Sequence, residues 1–236
     1  MNTVIFDLDG TLLPIDHEAF IKEYFRELVK KIAPLGFDPQ KLVESIKAGT
    51  QSMVENDGTM TNEERFWITF ETYHGKDSGE VVDDFLNFYK YDFPQFEKFA
   101  QPDPLVKQIT DELKNKGYDL LLATNPLFPM VATESRVRWA GIDPDIFSYI
   151  TTYESASFSK PNIQYYKEML EKSGKEAKAC LMVGNGLDDD MIIAELGTDT
   201  FLVSDALTEE LRSHKYVKRA GNREELLKYV QTLPAL

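Results

Sequence analysis

A chain of 236 residues with 42% apolar composition is long enough for one large domain, or for a core with a small second domain, and it can bury a sizeable core. Its formal net charge of −14 argues against nucleic acid and anionic membrane surfaces as partners, because both call for basic patches. A single cysteine, Cys180, leaves no intrachain disulfide. The scattered His17, His74 and His214 form no zinc cluster, and the lack of a basic leader or a long apolar run points to a soluble, cytoplasmic protein.

The chain opens with Thr3-Val4-Ile5-Phe6, a short apolar run rich in β-branched residues that stops at Asp7-Leu8-Asp9-Gly10-Thr11. This is the pattern of a buried parallel strand running into a turn. From about His17 to Phe99 the character is helical. Phe20, Tyr24, Leu28 and Ile32 share one face until Pro34 and Gly36, and Asp38-Pro39 opens a second helix running towards Gly49. Thr61 and Glu64 have the spacing of a capping box ahead of Phe66, Trp67, Phe70 and Tyr73, and a fourth helix is expected over Gly79 to Tyr89. The density of aromatics could mark a substrate pocket, although such a stripe more often forms core.

Beyond Pro102 and Pro104, strands and helices alternate. Helices are expected over Leu105 to Asn115, Phe128 to Ala140, Pro161 to Ser173, Asp190 to Leu196 and Arg223 to Leu233. Strands are expected over Tyr118 to Ala123, Phe147 to Thr152, Ala179 to Val183 and Thr200 to Val203. The alternation predicts an α/β fold, a Rossmann-like doubly wound parallel sheet with right-handed crossovers. Residues 1–14 and 101–236 would form the core, and residues 15–100 a helical domain inserted after the first strand.

In such a sheet, ligands bind outside the carboxyl ends of the strands. Those ends carry Asp7 and Asp9, then Thr124 and Asn125, then Lys160, then Gly184-Asn185-Gly186 followed by Asp188, Asp189 and Asp190. Each piece has a plainer explanation. Asp9-Gly10 suits a hairpin turn, Ser159-Lys160-Pro161 suits a helix start, and aspartates suit a helix N-terminus. A lysine just before a helix N-terminus, however, opposes the helix dipole unless an anion sits between them. Glycines flanking Asn185 suggest close backbone approach to a ligand.

Taken together the pieces are specific. Asp7-Leu8-Asp9-Gly10-Thr11 after an apolar strand, Thr124 after Leu120-Leu121-Leu122-Ala123, Lys160-Pro161, and Gly184 to Asp190 resemble, in order, the four motifs of the haloacid dehalogenase superfamily phosphatases. The place of the helical insert resembles that superfamily's C1-type cap. The resemblance implies hydrolysis of a small phosphorylated metabolite, with Asp7 as nucleophile, forming an aspartyl-phosphate, and Asp9 as general acid and base. It also implies Thr124, Asn125 and Lys160 on the phosphoryl oxygens, and Mg²⁺ held by Asp7, Asp9, Asn185 and Asp190, with Asp189 as the alternative to Asp190. The metal and Lys160 would offset the net negative charge.

The family usually has aspartate where this chain has Asn185, which predicts weaker metal binding. Asn162 replaces another commonly acidic residue. A phosphomutase, or a binding module that keeps the site without turnover, are the alternative readings. Dehalogenation has no need of Asp9, Lys160 and a metal together.

Overall fold

The computed structural model describes every residue except Lys76. Among the described residues a six-stranded, all-parallel sheet has the order β3-β2-β1-β4-β5-β6. The strands are β1 (Thr3–Phe6), β2 (Asp119–Leu122), β3 (Phe147–Ile150), β4 (Cys180–Gly184), β5 (Asp199–Val203) and β6 (Arg219–Gly221). Because β2 and β3 lie on one side of β1 while β4 to β6 lie on the other, the order reverses between β1 and β4. That pair of strand ends is where an open α/β sheet makes its crevice.

All four residues of β1 are buried, and its three apolar ones divide between two cores. Val4 and Phe6 join Leu120, Leu122, Leu181, Val183 and Phe201 on one face. Ile5 joins Leu121, Met182 and Leu202 on the other. The two-residue side-chain period of a strand therefore serves two helical layers at once. The first face is covered by α5 (Pro104–Asn115), α6 (Met130–Trp139) and α9 (Arg223–Thr232), through residues such as Val106, Leu113, Val137, Leu226 and Val230. The second is covered by α7 (Ile163–Ser173) through Tyr165, Tyr166 and Met169, and by a 3₁₀ segment, Met191–Leu196. This is the doubly wound α/β architecture anticipated from the alternation of elements.

Between β1 and β2 run α1 (His17–Ile32), α2 (Pro39–Val54), α3 (Asn62–His74) and α4 (Val82–Asn87). Phe20, Tyr24, Leu28 and Ile32 all point inward from α1, as their spacing predicts, and the Thr61–Glu64 capping box opens α3. Helix α2 continues past Gly49 to Val54. The fourth helix is shorter than expected. After Asn87 the chain passes through a π turn (Phe88–Asp92) and a 3₁₀ stretch (Phe93–Phe99) that turn Phe88, Tyr89, Phe93 and Phe96 inward. Most of these aromatics are core. Phe20 packs edge-on against Phe93 at 5.9 Å and Trp139 at 6.2 Å, so the insert shares one apolar cluster with the sheet and α6.

The insert also holds the core through polar groups. The side-chain nitrogen of Asn62, wholly buried, donates to Pro126 O (3.1 Å) and Ser159 Oγ (3.1 Å), and Ser159 Oγ donates to Met53 O (3.0 Å). The two crossings into and out of the insert pair with each other as an antiparallel bridge, Ile15 with Ala100.

Two elements escape a pattern reading. Strand β6 and the short α8 (Glu209–Ser213) carry no apolar run of their own. No helix among the described residues is long and apolar enough to cross a membrane.

Candidate functional site

Asp7 follows β1 directly, its N–H bonded to Val183 O of the neighbouring β4 (2.9 Å). The next turn is a compact loop rather than a hairpin. The amides of Thr11 and Leu13 return to Leu8 O (3.2 and 2.8 Å), and Gly10 N–H donates to Leu13 O (2.9 Å). Gly10 has φ +78°, and a Cβ there would lie 2.3 Å from the Asn185 amide, so this position requires glycine on both counts. Arg223, at the start of α9, pins the loop from outside by donating to Gly10 O (2.7 Å) and Thr11 O (2.9 Å).

Lys160 is buried, and its charge is answered by carboxylates. Nζ lies 2.8 Å from Asp7 Oδ1 and 2.6 Å from Asp190 Oδ1. Burial pulls its pKa down, but Asp190 and Asp7 outweigh burial and hold it well above the usual lysine value. The conflict with a helix dipole does not arise here. Helix α7 begins only at Ile163, and Asn162 is its cap, accepting from Gln164 N (3.0 Å). Asp7 sits the other way. Burial, then Asp190, raise its carboxyl from 3.8 to about 7, against the lowering pull of Lys160.

The acidic run does not cap a helix either. Asp190 turns back, and its Oδ2 accepts from the N–H groups of Asn185 (3.0 Å) and Gly186 (2.8 Å). The expected close approach at Gly184 is therefore to this carboxylate and not to a ligand, since a Cβ on Gly184 would lie 2.4 Å from Asp190 Oδ2. Asp189 stays exposed at the cavity edge.

Thr124 and Asn125 follow β2. The carbonyl of Thr124 is clamped by Thr151 Oγ1 (2.7 Å) and Tyr165 OH (2.9 Å). Asn125 Oδ1 is buried with no hydrogen-bond partner among the described residues, as is Asp9 Oδ1. One cavity of about 440 Å³ brings together Asp7, Asp9, Thr124, Asn125, Lys160, Asn185, Asp189 and Asp190.

The sequence reading missed one charged group in this cavity. Arg136, on α6 and almost wholly buried, makes an ion pair with Asp9, while its guanidinium lies 5.1 Å above the Phe128 ring. Its position held a signal, because Arg136 lies four residues from Ala132 and three from Thr133, on the buried face of the helix.

A cation fits the donors that converge here. Oriented by its neighbours, the Asn185 amide aims its nitrogen at Asp9 O (3.2 Å), Asp7 Oδ2 (3.2 Å) and Thr11 Oγ1 (3.1 Å). Turning the amide would put three oxygens around one point: a carboxylate, a carbonyl and an amide. These are hard ligands of the kind Mg²⁺ takes. No group of three or more His, Cys, Asp or Glu side chains among the described residues is placed to hold a metal, so such a site would depend on the carbonyl and the amide.

The chain is 26% identical over 215 residues to a glyceraldehyde 3-phosphate phosphatase of Methanothermobacter thermautotrophicus, covering 91% of this chain and 90% of that protein. It is 23% identical over 191 residues to a phosphoglycolate phosphatase of Agrobacterium fabrum, covering 78% and 72%. Its fold matches a HAD phosphatase from Thermococcus onnurineus over 100% of both chains, with TM-score 0.61 and 18% identity. It also matches a 2-haloacid dehalogenase from Pseudomonas syringae over 98% of both, with TM-score 0.62 and 21% identity. The family model for haloacid dehalogenase-like hydrolases matches residues 1–197, and the chain belongs to that family.

Proposed function

We propose that the protein is a Mg²⁺-dependent phosphatase that hydrolyses a small phosphomonoester through an aspartyl-phosphate on Asp7. The observation that carries this reading is the Asp7 carboxylate at the end of β1, held by Lys160 and by the Thr11 hydroxyl (3.1 Å), with Asp9 in the same cavity. An Asp7 oxygen attacks phosphorus as the bond to the leaving oxygen breaks, and Asp9 gives that oxygen its proton. Asp9 then takes a proton from the water that attacks phosphorus, and the bond to Asp7 breaks. Asp9 Oδ1, which has no partner among the described residues, carries the proton in both steps, while Arg136 stays on Oδ2 and keeps the group beside the site.

The phosphoryl oxygens fall to Lys160, the Thr124 hydroxyl and the Asn125 side chain, whose buried polar groups face the same space. Asp7, the Asp9 carbonyl and Asn185 would hold Mg²⁺, with Asp190 adding its charge from behind the loop. The ion would supply positive charge to keep Asp7 ionised and to offset the phosphate. Residues 15–100 act as a cap over a core of residues 1–14 and 101–236, and the paired crossings at Ile15 and Ala100 support that division.

The test is phosphate release from a panel of phosphomonoesters, with Mg²⁺ or EDTA, for wild type and Asp7→Asn. The expected result is Mg²⁺-dependent release that falls at least about 10⁴-fold in the variant. Release that survives in Asp7→Asn would sink the mechanism. Phosphoryl exchange between two sugars without release would instead favour the phosphomutase reading.

A further inference from the structure

The catalytic groups occupy only one end of the cavity. The other end is formed by Ile21 and Phe25 of α1, Ile46 of α2, Phe66 of α3, and Leu127 and Phe128 of the segment after β2. Ile46 and Phe66 are buried in the core with Phe20, Phe88, Phe93 and Phe96, and reach the cavity only with an edge. Ile21, Phe25, Leu127 and Phe128 keep part of their surface open, and the cavity they border falls in the size range of small-molecule clefts.

The few polar groups at this end bond within the protein. The hydroxyls of Tyr24 and Tyr89 are 2.6 Å apart and bond to each other. Thr50 Oγ1 donates to Ile46 O (2.9 Å) within its own helix. A polar leaving group would therefore find few unmet partners here, and would lose water without replacing it.

Charge points the same way. The cavity is bordered by Asp7, Asp9, Asp189 and Asp190 against Lys160 and Arg136. Lys160 is shared by two carboxylates, while Arg136 is paired with Asp9 and has one face covered by Phe128. His17 lies exposed at the rim. A carboxylate or a second phosphate on the leaving group would have to displace an existing ion pair to find a counter-charge.

We propose that the leaving group of the substrate is an uncharged, apolar alcohol at least as large as an aromatic ring, seated against Ile21, Phe25, Leu127 and Phe128. This rests on the phosphatase reading above and narrows it.

The experiment compares ethyl phosphate, 2-phenylethyl phosphate, glycerol 3-phosphate and phosphoglycolate with Mg²⁺, in wild type and Phe25→Ala. Ethyl and 2-phenylethyl phosphate are both primary alkyl esters, so the ring is tested without the intrinsic reactivity of an aryl ester. The expected result is a kcat/KM for 2-phenylethyl phosphate at least about tenfold above each of the others. Phe25→Ala should shrink that ratio severalfold, with its fold checked by circular dichroism. Release in which ethyl phosphate, glycerol 3-phosphate or phosphoglycolate equals or exceeds 2-phenylethyl phosphate overturns the inference and leaves the phosphatase reading standing. An unchanged ratio in Phe25→Ala also overturns it. No release from any compound removes the phosphatase reading, and this inference with it.

Discussion

The two ends of the cavity are built on opposite principles. At the catalytic end Asp7, Lys160 and Asp190 come from three separate loops and are buried as a charged triad, in which one lysine serves two carboxylates. Taking such charges out of water is costly, and they persist only because each answers another. At the far end, Phe25 and its neighbours come from segments whose other aromatics make ordinary core, and each contact contributes a small, non-directional gain. The difference teaches where function is vulnerable. One end fails if a single partner is lost, and the other if its shape changes.

Lys160→Met should have the largest effect, because it leaves Asp7 and Asp190 buried without a counter-charge. Removing one partner of a buried pair costs about 3–5 kcal/mol, and loss of a phosphoryl-binding donor costs about 10²-fold or more in kcat. Urea unfolding and phosphate-release assays on one preparation would check both. A variant that keeps full stability would mean that the triad is not what holds this end together.

Phe20→Ala tests the other principle. Phe20 is wholly buried where the insert meets α6, so its removal should cost about 3 kcal/mol through lost burial and a residual cavity. Since Phe20 does not border the cavity, KM should move less than stability does. A rise in KM without a stability loss would contradict the division between core and recess.

The smallest effect sharpens the charged end. In Asn185→Asp a carboxylate would replace the amide that now donates to Asp7 and the Asp9 carbonyl. Calorimetric titration should show Mg²⁺ bound about tenfold more tightly, roughly 1.4 kcal/mol, while the metal-free variant melts lower than wild type. The Asp7 carboxyl, raised to about 7 without metal, must lose its proton to bind the ion. In wild type, apparent Mg²⁺ affinity should therefore fall by about tenfold for each unit below pH 7, and level off above it. Affinity independent of pH between 5 and 7 would remove Asp7 from the ligand set.

Much of the fold was legible because its signals are local. Apolar runs bounded by polar residues or glycine located β1 to β5, and the face of Phe20, Tyr24, Leu28 and Ile32 marked α1. Strand β6 was not legible, because three residues, Arg219–Gly221, carry no periodicity, and it pairs with β5 only once the sheet exists. The segment after Asp190 read as a helix yet forms a 3₁₀ stretch, because the Asp190 carboxylate turns back to the Asn185 and Gly186 amides instead of capping forward.

The sequence by itself determined which chemical groups reach the carboxyl edge of the sheet. Strand ends are set by residues next to one another in the chain, and the order of motifs does the rest. Only the tertiary structure decided how those groups compensate one another: Lys160 against two aspartates, Arg136 against Asp9, and Asn185 against the Asp9 carbonyl. It also decided which aromatics of the insert open onto the cavity and which vanish into the core. The physical reason is common to both. Burial and electrostatic pairing depend on distances between residues far apart in the chain, and those distances are fixed only when the helices close over the sheet.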